Sequence, residues 1–217
     1  MKPDRRALLV GCALMFGLTL AMDGARAAAA AVEDPVPPGG GRVLLEGGWA
    51  APLGDLADGL DETALGSGSR PGFELGLRWR FALAPSWSLA PALHFLGYGD
   101  ATGLGEDGEE GLSTSTLRLG LELLVASRRW GAQPFAGISP CIMQNRMKGP
   151  GKDHVTPIDG SSTGFGLSAR AGVRFGDVEV SAVYHLNRFS TYQFFATGQE
   201  ESYNWDAVVL RFGWLLP

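Results

Sequence analysis

From Phe73 to Phe81 every odd position is large and apolar (Phe73, Leu75, Leu77, Trp79, Phe81), while Glu74, Gly76, Arg78 and Arg80 lie between them. This alternation has the period of a β-strand, whose successive side chains point to opposite faces. One face suits apolar surroundings and the other requires water or ion partners. Comparable segments recur about eight times along the chain. They predict strands over 42–53, 71–82, 87–98, 113–126, 131–144, 163–175, 178–189 and 202–216, each long enough to cross a bilayer at a steep tilt.

The connections alternate in length. Ala84-Pro85-Ser86, Ser127-Arg128-Arg129-Trp130 and Gly176-Asp177, after the second, fourth and sixth strands, are hairpin-sized. The connections after the odd-numbered strands run for about 13 to 18 residues and are rich in Gly, Asp, Ser and Pro. Such loops are uncommon in compact soluble domains, but outer-membrane barrels pair short periplasmic turns with long external loops. The predicted fold is therefore all-β: an eight-stranded antiparallel up-and-down transmembrane β-barrel over 42–217, with both chain ends on the periplasmic side. Phe81, Trp87, Trp130, Phe175 and Trp214 fall at the short-turn ends, and Trp49, Phe73, Phe95, Tyr203 and Trp205 at the long-loop ends. They predict two aromatic girdles at the membrane interfaces.

The N-terminus fits export. In residues 1–27, Lys2, Arg5 and Arg6 precede the apolar run Ala7 to Met22, and Ala25-Arg26-Ala27 supplies small residues at a cleavage site, as in a secretory signal peptide. The run spans only about 16 residues, against the roughly 20 of a transmembrane helix. Residues 28–41, with Pro35, Pro37, Pro38 and a glycine cluster, predict a flexible leader. The signal carries four positive and two negative residues, so its removal takes the formal net charge from −5 to −7. A nucleic-acid partner is not expected without a basic face. Cys12 leaves with the signal and Cys141 remains alone, which precludes an intramolecular disulfide. Beyond residue 27 no stretch is apolar for 18 residues, so membrane crossing falls to strands.

Sorted by parity, Glu46, Glu74, Arg78, Arg80, His94, Arg118, Glu122, Arg170, Arg174, Glu179, His185 and Arg211 face inward, between outward Leu, Val, Phe, Ala and Trp. An eight-stranded barrel has a lumen just wide enough to be filled by its side chains. Unpaired buried charges cost several kcal/mol each, so these groups are expected to form a packed ion network that holds the barrel shut. A narrow gated pore is the alternative. His94 and His185 alone do not supply the three or four ligands of a metal site, and no metal or other cofactor is expected. The acidic cluster Asp100, Glu106, Asp107, Glu109 and Glu110 lacks the order of a calcium loop. The loop containing Arg146, Lys148, Lys152 and His154 is basic, which suits lipopolysaccharide phosphates.

Phe165-Gly166-Leu167-Ser168-Ala169-Arg170-Ala171-Gly172-Val173-Arg174-Phe175 and Val208-Val209-Leu210-Arg211-Phe212-Gly213-Trp214 are patterned as barrel strands. In this the chain resembles the small eight-stranded outer-membrane barrels of the OmpA/OmpX type, over roughly Arg42 to Pro217. The resemblance implies a Gram-negative cell outer membrane as the location, with outer-membrane lipid, lipopolysaccharide and the barrel-insertion machinery as partners. It also implies a barrel without the periplasmic cell-wall-binding domain of larger relatives. Family members close on an aromatic residue; here Leu215, Leu216 and Pro217 end the chain, leaving Phe212 and Trp214 to carry that signal. Val183-Tyr184-His185-Leu186-Asn187 is similar to a strand of the lipid A deacylases, in which a nucleophilic Ser lies two residues after the His. Asn187 has no hydroxyl for His185 to activate. The expected role is therefore non-enzymatic: structural, or surface-interactive through the loops, with a small-solute channel and a lipid A hydrolase as alternatives.

Overall fold

The computed structural model describes residues 41–57, 69–99, 113–127, 132–150, 157–191 and 201–216. The expected signal peptide, most of the leader, Trp130, the acidic cluster, Lys152 and His154 lie outside the described residues. The strands are β1 (Gly41–Pro52), β2 (Arg70–Ala84), β3 (Trp87–Gly99), β4 (Ser113–Ala126), β5 (Gln133–Pro150), β6 (Pro157–Phe175), β7 (Val178–Thr191), β8 (Glu201–Asn204) and β9 (Ala207–Leu215). Neighbours from β1 to β7 pair antiparallel in chain order, β7 pairs β9, and β9 returns to β1. The ring therefore closes with eight strands, β8 and β9 being two halves of the eighth.

Alternation settles which side chains see which environment. Leu45, Leu75, Leu77, Leu93, Leu119, Leu121, Ile138, Ile142, Leu167 and Leu210 are exposed on the outside, while the residues between them turn into the lumen. In water so continuous an apolar band would drive association; in a bilayer it is the band that hydrocarbon wets. Outward Phe73 and Phe95 meet at 6.1 Å between ring centroids near the long-loop end, and Trp79 and Phe81 at 5.0 Å near the short-turn end. At the β6–β7 turn, Gly176 takes a positive φ of 58°, open to glycine without strain.

Three expectations change. The fifth and sixth strands are longer than predicted: β5 continues through Gln144–Pro150 and β6 starts at Pro157, their register unbroken from Gln133↔Arg174 to Pro150↔Pro157. Only residues 151–156 separate them. The eighth strand is interrupted at Trp205 and Asp206, where the Asp206 carboxylate accepts from the Asn187 backbone N–H (3.1 Å) and the Tyr184 hydroxyl (2.7 Å). Tyr203 and Trp205 do not belong to the outer girdle. They share the parity of Arg211 and point inward, 2% and 1% exposed.

Candidate functional site: the barrel lumen

All twelve residues sorted inward by parity lie on the lumen side, ten of them buried and Arg80 and Arg174 partly so. Strand register brings together carboxylates and guanidinium groups that are far apart in sequence. Glu46, on β1, accepts from Arg170 (2.9 Å) and His94 (2.8 Å) and stands in ion-pair contact with Arg78 (2.9 Å) and Arg211 (3.6 Å). Glu179, on β7, gathers Arg78, Arg80 (2.8 Å), Arg170 (3.1 Å) and Arg174 (2.5 Å). Glu122 takes Arg78 at 2.8 Å, with Arg170 at 3.7 Å. Above these, Glu74 accepts from Arg211 Nε (2.5 Å) and His185 Nε2 (2.9 Å). Arg170 also stacks over the Phe135 ring at 5.0 Å. Gly76 makes room for this packing, since a Cβ there would lie 2.1 Å from the His94 ring.

The environment changes along the barrel axis. At the short-turn end a cavity of about 450 Å³ opens between Arg42, Arg80, Trp87, Gln133, Phe135 and Arg174. The charged layers follow. Toward the loops come neutral polar pairs: Asn145 and Asn187 exchange side-chain hydrogen bonds (3.2 and 2.7 Å), and Thr116 donates to Asn145 (2.9 Å). The loop end is apolar: Leu56, Leu96, Tyr98, Met147, Phe189, Tyr203 and Trp205 pack into one buried cluster. Phe189 stacks on Tyr203 (5.3 Å) and meets Trp205 edge-on (5.1 Å).

The sequence reading missed several lumen partners. Ser168 Oγ lies 3.0 Å from His185 Nδ1, so a serine, a histidine and Glu74 do form a chain. Arg118 reaches the His185 ring and the Ser168 hydroxyl, and lies 3.3 Å from the Cys141 thiol. Ser168, His185 and Glu74 are all buried inside the barrel, away from the lipid face. Hydroxyl and thiol partners on facing strands leave no periodic trace in sequence; only the register aligns them. Among the described residues no group of three His, Cys, Asp or Glu side chains is arranged to hold a metal.

No family model matches the sequence, and no curated protein matches it. The fold has solved counterparts. Neisserial surface protein A superposes with a TM-score of 0.52 at 14% identity, covering 81% of this chain and 96% of that one. OprG from Pseudomonas aeruginosa gives 0.44 at 12% identity, covering 81% and 96%. Ail of Yersinia pestis, solved with the heparin analogue sucrose octasulfate, gives 0.42 at 12% identity, covering 81% and 99%. With its closed antiparallel ring, apolar outer belt and charged lumen, the chain has the fold of the small eight-stranded β-barrels of the bacterial outer membrane.

Proposed function

We propose that this protein is a non-enzymatic, closed outer-membrane barrel whose role is structural or surface-interactive, carried by the segments that join its strands at the long-loop end. The observation that carries the reading is the filling of the lumen: a packed ion network in the middle and an aromatic cluster across the loop end. A barrel of this strand number has little room beyond its own side chains. The rigid ring then serves as a base from which the connecting segments present contacts. On β5 and β6, Arg146 and Lys148 face outward around Asp159 (3.2 and 3.7 Å), an arrangement suited to lipopolysaccharide phosphates at the outer leaflet. The lipid A hydrolase reading loses support because Ser168 and His185 sit in the lumen, where an acyl chain in the bilayer does not reach.

Planar-bilayer recording of the refolded protein tests the closed lumen. Only rare, small conductance steps are expected. Steady conductance with anion preference, set by the excess of lumen arginines, would replace the closed barrel with a narrow channel for small solutes.

A further inference from the structure

At the short-turn end, which in outer-membrane barrels faces the periplasm, the ring opens into the cavity of about 450 Å³. Its lining has two characters. Leu124, Phe135 and Leu215 give it apolar surface, the first two belonging to a small buried cluster with Ala90. Arg42, Arg80 and Arg174 give it three guanidinium groups and Gln133 an amide, and among the described residues no carboxylate lies on the lining. Register places the cations on opposite walls: Arg42 and Arg80 are partners across β1 and β2, and Gln133 and Arg174 across β5 and β6. From those walls Arg80 (2.8 Å) and Arg174 (2.5 Å) converge on a single oxygen, Glu179 Oε1, while the other oxygen serves Arg78 and Arg170. Two guanidinium groups are thus held side by side on an anchor that four cations share. The Arg80 and Arg174 side chains keep 11% and 19% of their surface exposed, and Arg42 is exposed with no hydrogen bond or ion pair among the described residues. Of the five N–H groups of a guanidinium, Arg174 spends two on Glu179 and one on Gln133 (3.2 Å), so two remain.

We propose that this cavity binds a small organic oxyanion from the periplasm, a carboxylate or phosphate monoester with a short apolar body. The guanidinium forks donate to the paired oxygens of such an anion, and the apolar body lies against Leu124 and Phe135. An anion seated there offsets the repulsion between Arg80 and Arg174, which Glu179 cancels only in part because its charge is shared. The volume falls within the roughly 300–1,000 Å³ of small-molecule sites, well beyond what a single bare ion fills. The competing occupant is the acidic pair Glu33-Asp34, which precedes β1 in the chain. The inference concerns the mouth of the barrel alone, so it goes beyond the closed-barrel reading and stands whether or not the middle of the lumen conducts.

Titration of the refolded full chain in nanodiscs with phenyl phosphate, read by amide chemical shifts, tests it. The shifts are expected to saturate as one site and to move the signals of Arg42, Ser88, Gln133 and Gly176, but not those of Asn145 and Asn187 toward the loops. Arg174→Gln is expected to weaken binding by roughly tenfold or more. If that variant does not refold, Arg42→Gln removes an exposed cation without a partner among the described residues and is expected to weaken binding by roughly threefold. Arg146→Gln, at an exposed cation of the opposite end, is expected to leave affinity unchanged, and inorganic phosphate, which lacks the apolar body, is expected to bind more weakly than phenyl phosphate. Shifts that do not saturate, equal weakening by Arg146→Gln, or equal affinity for inorganic phosphate would overturn the proposal. Binding that appears only after Glu33→Gln and Asp34→Asn would overturn it too, by assigning the cavity to the chain's own N-terminal segment.

Discussion

Replacing Glu74 with glutamine keeps the side chain's shape and removes one negative charge from the lumen. In the wild type this carboxylate is 1% exposed and serves Arg211 Nε at 2.5 Å and His185 Nε2 at 2.9 Å. After Glu74→Gln, the nearest carboxylate to Arg211 is Glu46 at 3.6 Å, already shared with Arg78, Arg170 and His94. Arg118 stands beside the same His185 with no carboxylate of its own among the described residues. Arg211 would thus be left with one distant acceptor that three other groups already occupy. Removing one partner of a buried ion pair costs about 3–5 kcal/mol, or roughly two to three and a half powers of ten in the folding equilibrium. The matched control is Asp159→Asn, which breaks the exposed pair with Arg146 (3.2 Å) and is expected to cost no more than about 1 kcal/mol. Urea titration of the barrel in lipid vesicles, followed by tryptophan fluorescence and by the mobility difference between folded and unfolded forms on gels, measures both. Equal midpoints for the two variants would refute the reasoning, because a lumen that tolerates the loss of Glu74 is hydrated rather than packed.

On the lipid face, Leu121→Arg places a charge at an exposed apolar position and is expected to cost about 2–4 kcal/mol near the midplane; the same vesicle titration reads it, and an unchanged midpoint would invert the parity of β4. Gly76→Ala forces a Cβ to 2.1 Å from the His94 ring, for an expected loss of about 1–3 kcal/mol from overpacking. Adding His94→Ala should recover part of that loss, whereas strict additivity would show that the two sites do not touch. Epitope tags near Gly66, Gly105, Gly151 or Gly198 should be labelled on intact cells and tags near Ser86 or Gly176 should not, and the reverse pattern would turn the barrel over in the membrane.

Strand order and closure were legible because a bilayer enforces strict alternation. Lipid admits almost nothing but apolar side chains, so each outward residue between Leu117 and Leu123 declares its face, and the predicted bounds of β4 coincide with Ser113–Ala126. Above the bilayer that constraint vanishes. Gln144, Arg146 and Lys148 on β5, and Asp159, Ser161 and Thr163 on β6, face water, so the period-2 signal fades although the backbone ladder continues. That is why 145–150 and 157–162 read as loop. Tyr203 and Trp205 failed for a different reason. Aromatic residues near a strand end suit a girdle and a lumen cap equally, and only parity with Arg211 tells them apart. The Ser168–His185 contact and the place of Cys141 required the β5–β6–β7 register, which composition does not encode.

The span of chain between ion-pair partners bears on assembly. Arg78 and Glu179 are separated by 101 positions, Arg170 and Glu46 by 124, and Arg211 and Glu74 by 137. None of these contacts exists in a hairpin or in an open sheet; each appears only when β1 and β9 join. Until then these cross-barrel partners stay apart and hydrated, while pairs within the β6–β7 hairpin, such as Arg174 with Glu179, can already form. Contacts of such long range are made late in folding, so weakening them should leave the rate of insertion almost unchanged and accelerate the reopening of the seam. The network is in that sense a latch on the finished ring rather than a guide to its formation.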